Sequence, residues 1–226
     1  MLQSRALRGA LVAAIALCVA VPGIAQDKQR GAAQEAVEDT LAPLPTADAA
    51  AAQGLEILRA VVATQDAGEL GFASREDVAR AALGPPMPVF VVGLDALRAY
   101  AAGADAKRIV EPVKSVVYPV LVDGEVRSSI TVEGQDSGWS MASVGNSALV
   151  MAVAKVRRSI SAEKVAMVRV LALNLVFLGE ESATGWRLTP ILDDTSVKLR
   201  AGVSETAADV FARLAPIARA HNGLPT

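Results

Sequence analysis

Residues 115–144 read as three consecutive strands joined by two turns, with side chains alternating between two faces at a period of two, and the rest of the chain is arranged around this stretch. That period belongs to a β-strand, whose successive side chains point to opposite faces. Asp123-Gly124 separates two β-branched runs, 115–122 and 125–133. A type I′ turn needs positive φ at both central residues, so Asp-Gly in this setting predicts a two-residue hairpin. The hairpin would set Val122 opposite Glu125, Leu121 opposite Val126, Val120 opposite Arg127, Pro119 opposite Ser128 and Tyr118 opposite Ser129. Alternation then predicts a core face of Val117, Pro119, Leu121, Val126, Ser128, Ile130 and Val132. The other face is mixed: Val116, Tyr118, Val120, Val122, Glu125, Arg127, Ser129 and Thr131. Pro119 has no N–H and falls at a non-bonded pair, so strand 115–122 is expected to be an edge strand near that residue. A five-residue turn, 134–138, leads to a third strand that adds Trp139 and Met141 to the mixed face, and Ala142 and Val144 to the core face.

Elsewhere the period lengthens to that of a helix. Residues 48–64 carry a stripe of Leu55, Leu58 and Val62, with Ile57 and Val61 beside it. Ser74-Arg75-Glu76-Asp77 is a capping-box pattern that opens a second helix, which Gly84 and Pro85-Pro86 close. Residues 88–92 read as a strand and 94–102 as a short helix stopped by Gly103. Asn146 or Ser147 caps a helix to residue 158, with Leu149, Val150, Val153 and Val156 on one stripe. Residues 165–178 are apolar except for Arg169 and Asn174, too short and too polar to span a membrane; between a buried helix and a strand, the valines and the turn at Gly179 favour one strand. Within it Arg169 needs a partner or a route to water. Residues 186–192 form the returning strand. Ser204 caps a last helix, 205–221, whose buried stripe is Val210, Phe211, Leu214 and Ile217; Pro216 should bend it, and Gly223-Leu224 should stop it. Together these elements predict an α+β fold, an antiparallel sheet of five or six strands with helices packed on one face.

The first residues follow a different order. Arg5 and Arg8 precede the apolar run 10–21, and Gly23-Ile24-Ala25 supplies small residues at the cleavage-determining positions, as in a secretory signal peptide. Cleavage is expected after Ala25. Residues 26–46, alanine-rich with Pro43 and Pro45, read as a flexible leader, and 47–226 as a single α+β domain. The only cysteine, Cys18, sits in the apolar run behind Leu17, where a lipoprotein site would have a small residue. The expected product is periplasmic or extracellular and free of cysteine, with no membrane span left after cleavage. Loss of Arg5 and Arg8 takes the net charge from −2 to −4, which disfavours a nucleic-acid footprint.

Signals for chemistry are thin. His221 is the only histidine, and it stands at a helix end where the dipole favours it. Ser161-Ala162-Glu163-Lys164 matches S-x-x-K, but its companion motifs are absent. Glu180-Glu181 and Asp193-Asp194 are acid pairs at turns, without the spaced ligands of a calcium loop. Glycine-rich phosphate loops are missing, so neither cofactor nor metal is expected. The two tryptophans, Trp139 and Trp186, suit either stacking platforms or core anchors. Aromatic, methionine and arginine side chains on one surface are the ingredients of a binding hot spot. The mixed face gathers them: Tyr118, Val120, Arg127, Thr131, Trp139 and Met141 are the candidate binding residues, with a covering helix as the structural alternative.

The succession P-V-x-V-D-G, I-T-V and D-x-G-W-x-x-x-S-V-G over residues 118–145 resembles an uncharacterised exported bacterial module. It is similar, more loosely, to cystatin-like α+β domains, in which a curved antiparallel sheet wraps a helix. The resemblance implies an exported, non-enzymatic module and carries over no functional residues. The expected function is binding, with a protein or peptide as partner. The alternatives are an enzyme of unrecognised type, a hydrolase first among them, and a structural component of the envelope.

Overall fold

The structure, a computed structural model, describes residues 44–62, 67–145, 147–162 and 164–222. The expected signal peptide and cleavage site, Cys18, most of the expected leader, the Asn146 cap and the Gly223-Leu224 stop lie outside the described residues.

Helix α1 (Ala47–Val62) is followed by a 3-10 turn (Ala67–Leu70), helix α2 (Arg75–Ala79), and strands β1 (Ala82–Leu83) and β2 (Met87–Val91). Next come helix α3 (Leu94–Ala99), a second 3-10 turn (Ala106–Ile109), and strands β3 (Glu111–Val122), β4 (Glu125–Gln135) and β5 (Gly138–Val144). Helix α4 (Ser147–Arg157) precedes β6 (Ala166–Val170), β7 (Leu175–Ser182) and β8 (Gly185–Pro190); β9 (Glu205–Thr206) and helix α5 (Ala207–Ala220) end the fold. Ser74 caps α2 as the capping box requires, accepting from the Asp77 amide. That helix stops at Ala79 rather than Gly84, because β1 begins two residues after its C-cap. Thr206, not Ser204, caps α5, since Glu205 and Thr206 are drawn into the sheet beside β8.

Among the described residues one sheet of nine strands runs β5-β4-β3-β2-β6-β7-β8-β9, with β1 also paired to β3. It is larger than the five or six strands expected. It is also mixed, because β2 and β6 lie parallel, Val89 beside Met167. One of the additional strands comes from 165–178, which is a hairpin and not one strand, and the others are the two-residue β1 and β9. A 3-10 turn at Leu171–Leu173 and Asn174 in the left-handed region (φ 50°) reverse the chain. Asparagine takes that conformation more readily than most residues. Arg169 is exposed, so water solvates its charge. Read outward from the parallel pair, each half continues through three antiparallel neighbours, and α4 and α5 follow the respective outermost strands.

The Asp123-Gly124 hairpin forms as expected, with φ of 52° and 82°. Val122 faces Glu125 and Leu121 faces Val126, but Val120 then faces Ser128. Arg127 is the extra residue of a β-bulge. Beyond it every pair is shifted by one, so Tyr118 faces Ile130 and Val117 faces Thr131. The next turn is shorter than the expected five residues, because Gln135 pairs with Gly138 across Asp136-Ser137. Pro119 is not on an edge: β3 has β4 on one side, and β1 and β2 on the other. Its missing N–H is accommodated where that second side breaks. β1 ends at Leu83 opposite Val120, β2 starts at Met87 opposite Val117, and the Gly84 amide closes the gap by donating to the Pro119 carbonyl at 2.7 Å.

Adjacent residues of one strand belong to different cores. Tyr118, Val120, Ile130 and Val132 pack with Leu55, Leu58 and Val62 of α1. Val117 packs with Met87, Val89, Met167 and Leu178 against Val153 and Val156 of α4. The helices are therefore divided between the two faces of the sheet rather than gathered on one. Val168, Phe177 and Leu188 bury the α5 stripe of Val210, Phe211 and Leu214. α3 is fixed to the end of α5 by reciprocal arginines: Arg98 donates to the carbonyls of Ala218 and His221, and Arg219 to those of Arg98 and Tyr100. Terminal carbonyls of α5 thereby gain partners that the helix itself cannot supply.

Candidate functional site

The six residues expected on one mixed face separate. Tyr118 and Val120 are 4 % and 0 % exposed beneath α1, and half-buried Trp139 and Met141 pack on the same core. Gly54 lets α1 come close there, since a Cβ at that position would lie 2.9 Å from Ile130 Cγ2. Thr131 is turned to the opposite face by the register shift, and Arg127 stands exposed at the bulge. The Tyr118 hydroxyl donates to Asp48 Oδ1 at 2.6 Å. Burial first, then that carboxylate, raises its pKa above the ordinary tyrosine range. The four residues that do meet form a core closed by a helix, which is the structural alternative of the sequence reading.

The other chemical signals resolve into local structure. Asp194 accepts from the amide and hydroxyl of Ser196, which lowers its pKa, and Asp193 accepts from the Ala201 amide, so this pair shapes the loop after β8. Glu181 is ion-paired with Lys107 at 3.2 Å. His221 follows the last turn of α5, where its carbonyl accepts from Arg98. Trp186 is buried and meets Phe90 edge-on, ring centroids 4.8 Å apart. Among the described residues, no three His, Cys, Asp or Glu side chains gather around a common point.

A concave feature lies elsewhere. A groove of about 920 Å³ is walled by Pro119 and Leu121 of β3, Val126 of β4, Met87, Pro88 and Phe90 of β2, and Val150, Val153 and Ala154 of α4. It continues past Val165 and Ala166 of β6 to Gly179 of β7 and Trp186 of β8. Met87 and Val153 belong to the core under α4, Ala166 and Trp186 to the core under α5. The groove therefore passes from one face of the sheet to the other, over the beginnings of β2 and β6 at Pro85-Pro86 and Lys164-Val165. Proline builds it: four of its lining residues, Pro85, Pro86, Pro88 and Pro119, offer no N–H, so the ladder between β3 and its neighbour breaks there and leaves an opening.

The walls are mostly aliphatic and the charges sit at the lip. Arg157, Arg158 and Lys164 line it from the end of α4 and the lead into β6, and Glu125 and Glu181 line it as well. Arg157 donates to the carbonyls of Ile160 and Ala162, at 2.8 and 2.7 Å, and so is held along the wall. Arg158 meets Glu125 at 3.3 Å in a pair whose side chains are 72 % and 62 % exposed.

Sequence reasoning placed Pro119, Leu121, Val126, Val150 and Val153 in the interior and did not gather them into a site. The signal available was the proline cluster, which an uninterrupted central strand does not tolerate. Scans against protein-family models and searches of curated proteins and of solved structures find no match for this chain.

Proposed function

We propose that this chain is an exported binding module whose groove takes an extended, apolar segment of a protein or peptide. The groove itself carries the reading. Its lining crosses from β3 through β2, β6 and β7 to β8, four strand spacings, or about 19 Å at about 4.8 Å each. About six residues at about 3.3 Å each would fill it. Proline-rich walls supply few main-chain donors, so recognition rests on side chains entering an apolar slot rather than on an added strand. The order of charged, apolar and small residues in the first 25 positions supports export.

The test is a random twelve-residue peptide library displayed on phage and panned against residues 26–226. Enrichment of aliphatic and aromatic peptides is expected, with recovery abolished by Ala154→Phe, which fills the slot from the half-buried face of α4. Peptides that bind the filled variant equally well would remove the groove from the function. Incubating the enriched peptides with the protein, followed by mass spectrometry, separates the hydrolase alternative: intact peptides support binding, cleaved ones an enzyme.

A further inference from the structure

The two sides of the groove are built differently. On the α4 side Leu121, Val126 and Ala154 line it and are only half-buried. On the other side, among the described residues, the lining reaches β8 at Trp186 alone and takes in nothing of β9 or α5. Trp186 and Val126 hold matching places, each one residue past the first pair of a hairpin, Ser182–Gly185 and Val122–Glu125. Yet Trp186 is 6 % exposed. Two contacts fix its indole. The ring lies against the backbone of Gly179, where a Cβ would stand 2.8 Å from Cζ3 and 3.0 Å from Cε3, so glycine alone leaves room for it. Phe90 meets it with ring centroids 4.8 Å apart and planes at 63°, an arrangement that aromatic pairs favour. Its main chain is paired with Glu181 across the hairpin.

Resting on the peptide-binding reading above, we infer that Trp186 is the end wall of the groove and sets the length of the apolar run that it takes. The run is about six residues over the span of the lining. A longer one would have to displace an indole that β7 and Phe90 hold in place. Apolar residues beyond that number stay in water and add no affinity. The partner is therefore a polypeptide with a brief apolar stretch between polar ones, rather than one with a long apolar segment.

Three fluorescein-labelled peptides, with alternating Leu-Ala cores of four, six and eight residues between Ser-Ser flanks, test the wall by anisotropy titration against residues 26–226. In the wild type, affinity should rise from four to six and stay level at eight. Trp186→Leu withdraws the wall, and the eight-residue core should then bind about tenfold tighter than the six-residue one, as an added apolar group does in a fitted pocket. A purely structural role for Trp186 would weaken all three alike and keep their ratios, which would overturn the inference. A further gain at eight in the wild type would do the same. Trp186 is buried, so a second measurement covers a leucine variant that fails to fold. In Trp139→Phe, the selectively excited emission of Trp186 should shift on saturation with the six-residue peptide, and emission that stays fixed would overturn the wall. Ala154→Phe should weaken every peptide, and if it does so while the Trp186 results fail, the groove stands without its wall. Binding insensitive to Ala154→Phe, or no binding of any peptide, would overturn both readings.

Discussion

The Tyr118 hydroxyl donates to the Asp48 carboxylate at 2.6 Å, joining the middle of β3 to the first turn of α1 across 70 residues of chain. The two groups meet in a part-buried position under the helix, where water competes weakly. Tyr118→Phe keeps the ring and removes the donor. A hydrogen bond to a charged group contributes about 1.5–3 kcal/mol, and a loss of that order is expected in urea unfolding at pH 7.

The same contact predicts an alkaline weakness. The folded Tyr118 pKa lies above its unfolded value of about 10, through burial and then the Asp48 carboxylate. For a group raised in the folded state, the contribution is complete below the unfolded pKa and is lost as pH rises through the folded one. Stability should therefore decline from about pH 10 upward. Tyr100 is also raised by burial, so the comparison with Tyr118→Phe isolates one tyrosine. If wild type and Tyr118→Phe lose stability in parallel between pH 8 and 11, the Asp48 contact has no such role.

The Asp123-Gly124 turn offers a sharper local test. Gly124 has φ of 82°, and a Cβ there would meet nothing within 4 Å, so backbone conformation alone decides the cost of substitution. Gly124→Val should cost about 1–3 kcal/mol, because a β-branched residue resists positive φ, and Gly124→Asn much less. Thermal unfolding that cannot tell the two apart would argue against the turn.

The central meander was legible because its signals are local: Asp-Gly makes the turn, and alternation makes the strands. The bulge was not. Nothing in 125–128 distinguishes an extra residue from a regular one, and a single insertion moved Thr131 to the other face while leaving Arg127 in water. Sheet size was underestimated because β1 and β9 are two residues long and 165–178 hides a reversal at Asn174. The groove is lined by α4, β3 and β8, far apart in sequence, and only the proline cluster hinted at it. Arg127→Ala, at an exposed bulge position, should change stability by less than about 0.5 kcal/mol. A loss several times larger in urea unfolding would show that the arginine holds the bulge.

The proposed export gives a covalent prediction. Arg5, Arg8, the apolar run 10–21 and Ala25 together predict cleavage before Gln26. Intact-mass analysis of protein recovered from outside the cytoplasm should give a chain beginning at Gln26, without cysteine. A retained first segment, or a lipid on Cys18, would refute it.

Gly179 connects stability to the groove. It lies in β7 where Trp186 crosses from β8, and a Cβ built there would stand 2.7 Å from Val168 Cγ2 and 2.8 Å from Trp186 Cζ3. Both neighbours belong to the core under α5, so neither can withdraw without disturbing Phe90 or the helix. Gly179→Ala should therefore destabilise by about 1–3 kcal/mol through overpacking, although alanine is ordinarily harmless in a strand. The indole would be pushed toward the groove that it lines. In a Trp139→Phe background Trp186 is the sole tryptophan, and its selectively excited emission should shift to the red with Gly179→Ala while the far-ultraviolet dichroism stays unchanged. Peptide affinity should fall along with that shift, because the displaced ring narrows the slot. Unaltered emission and stability would mean that β7 and β8 separate freely at this point, and that Trp186 does not form a fixed wall of the groove.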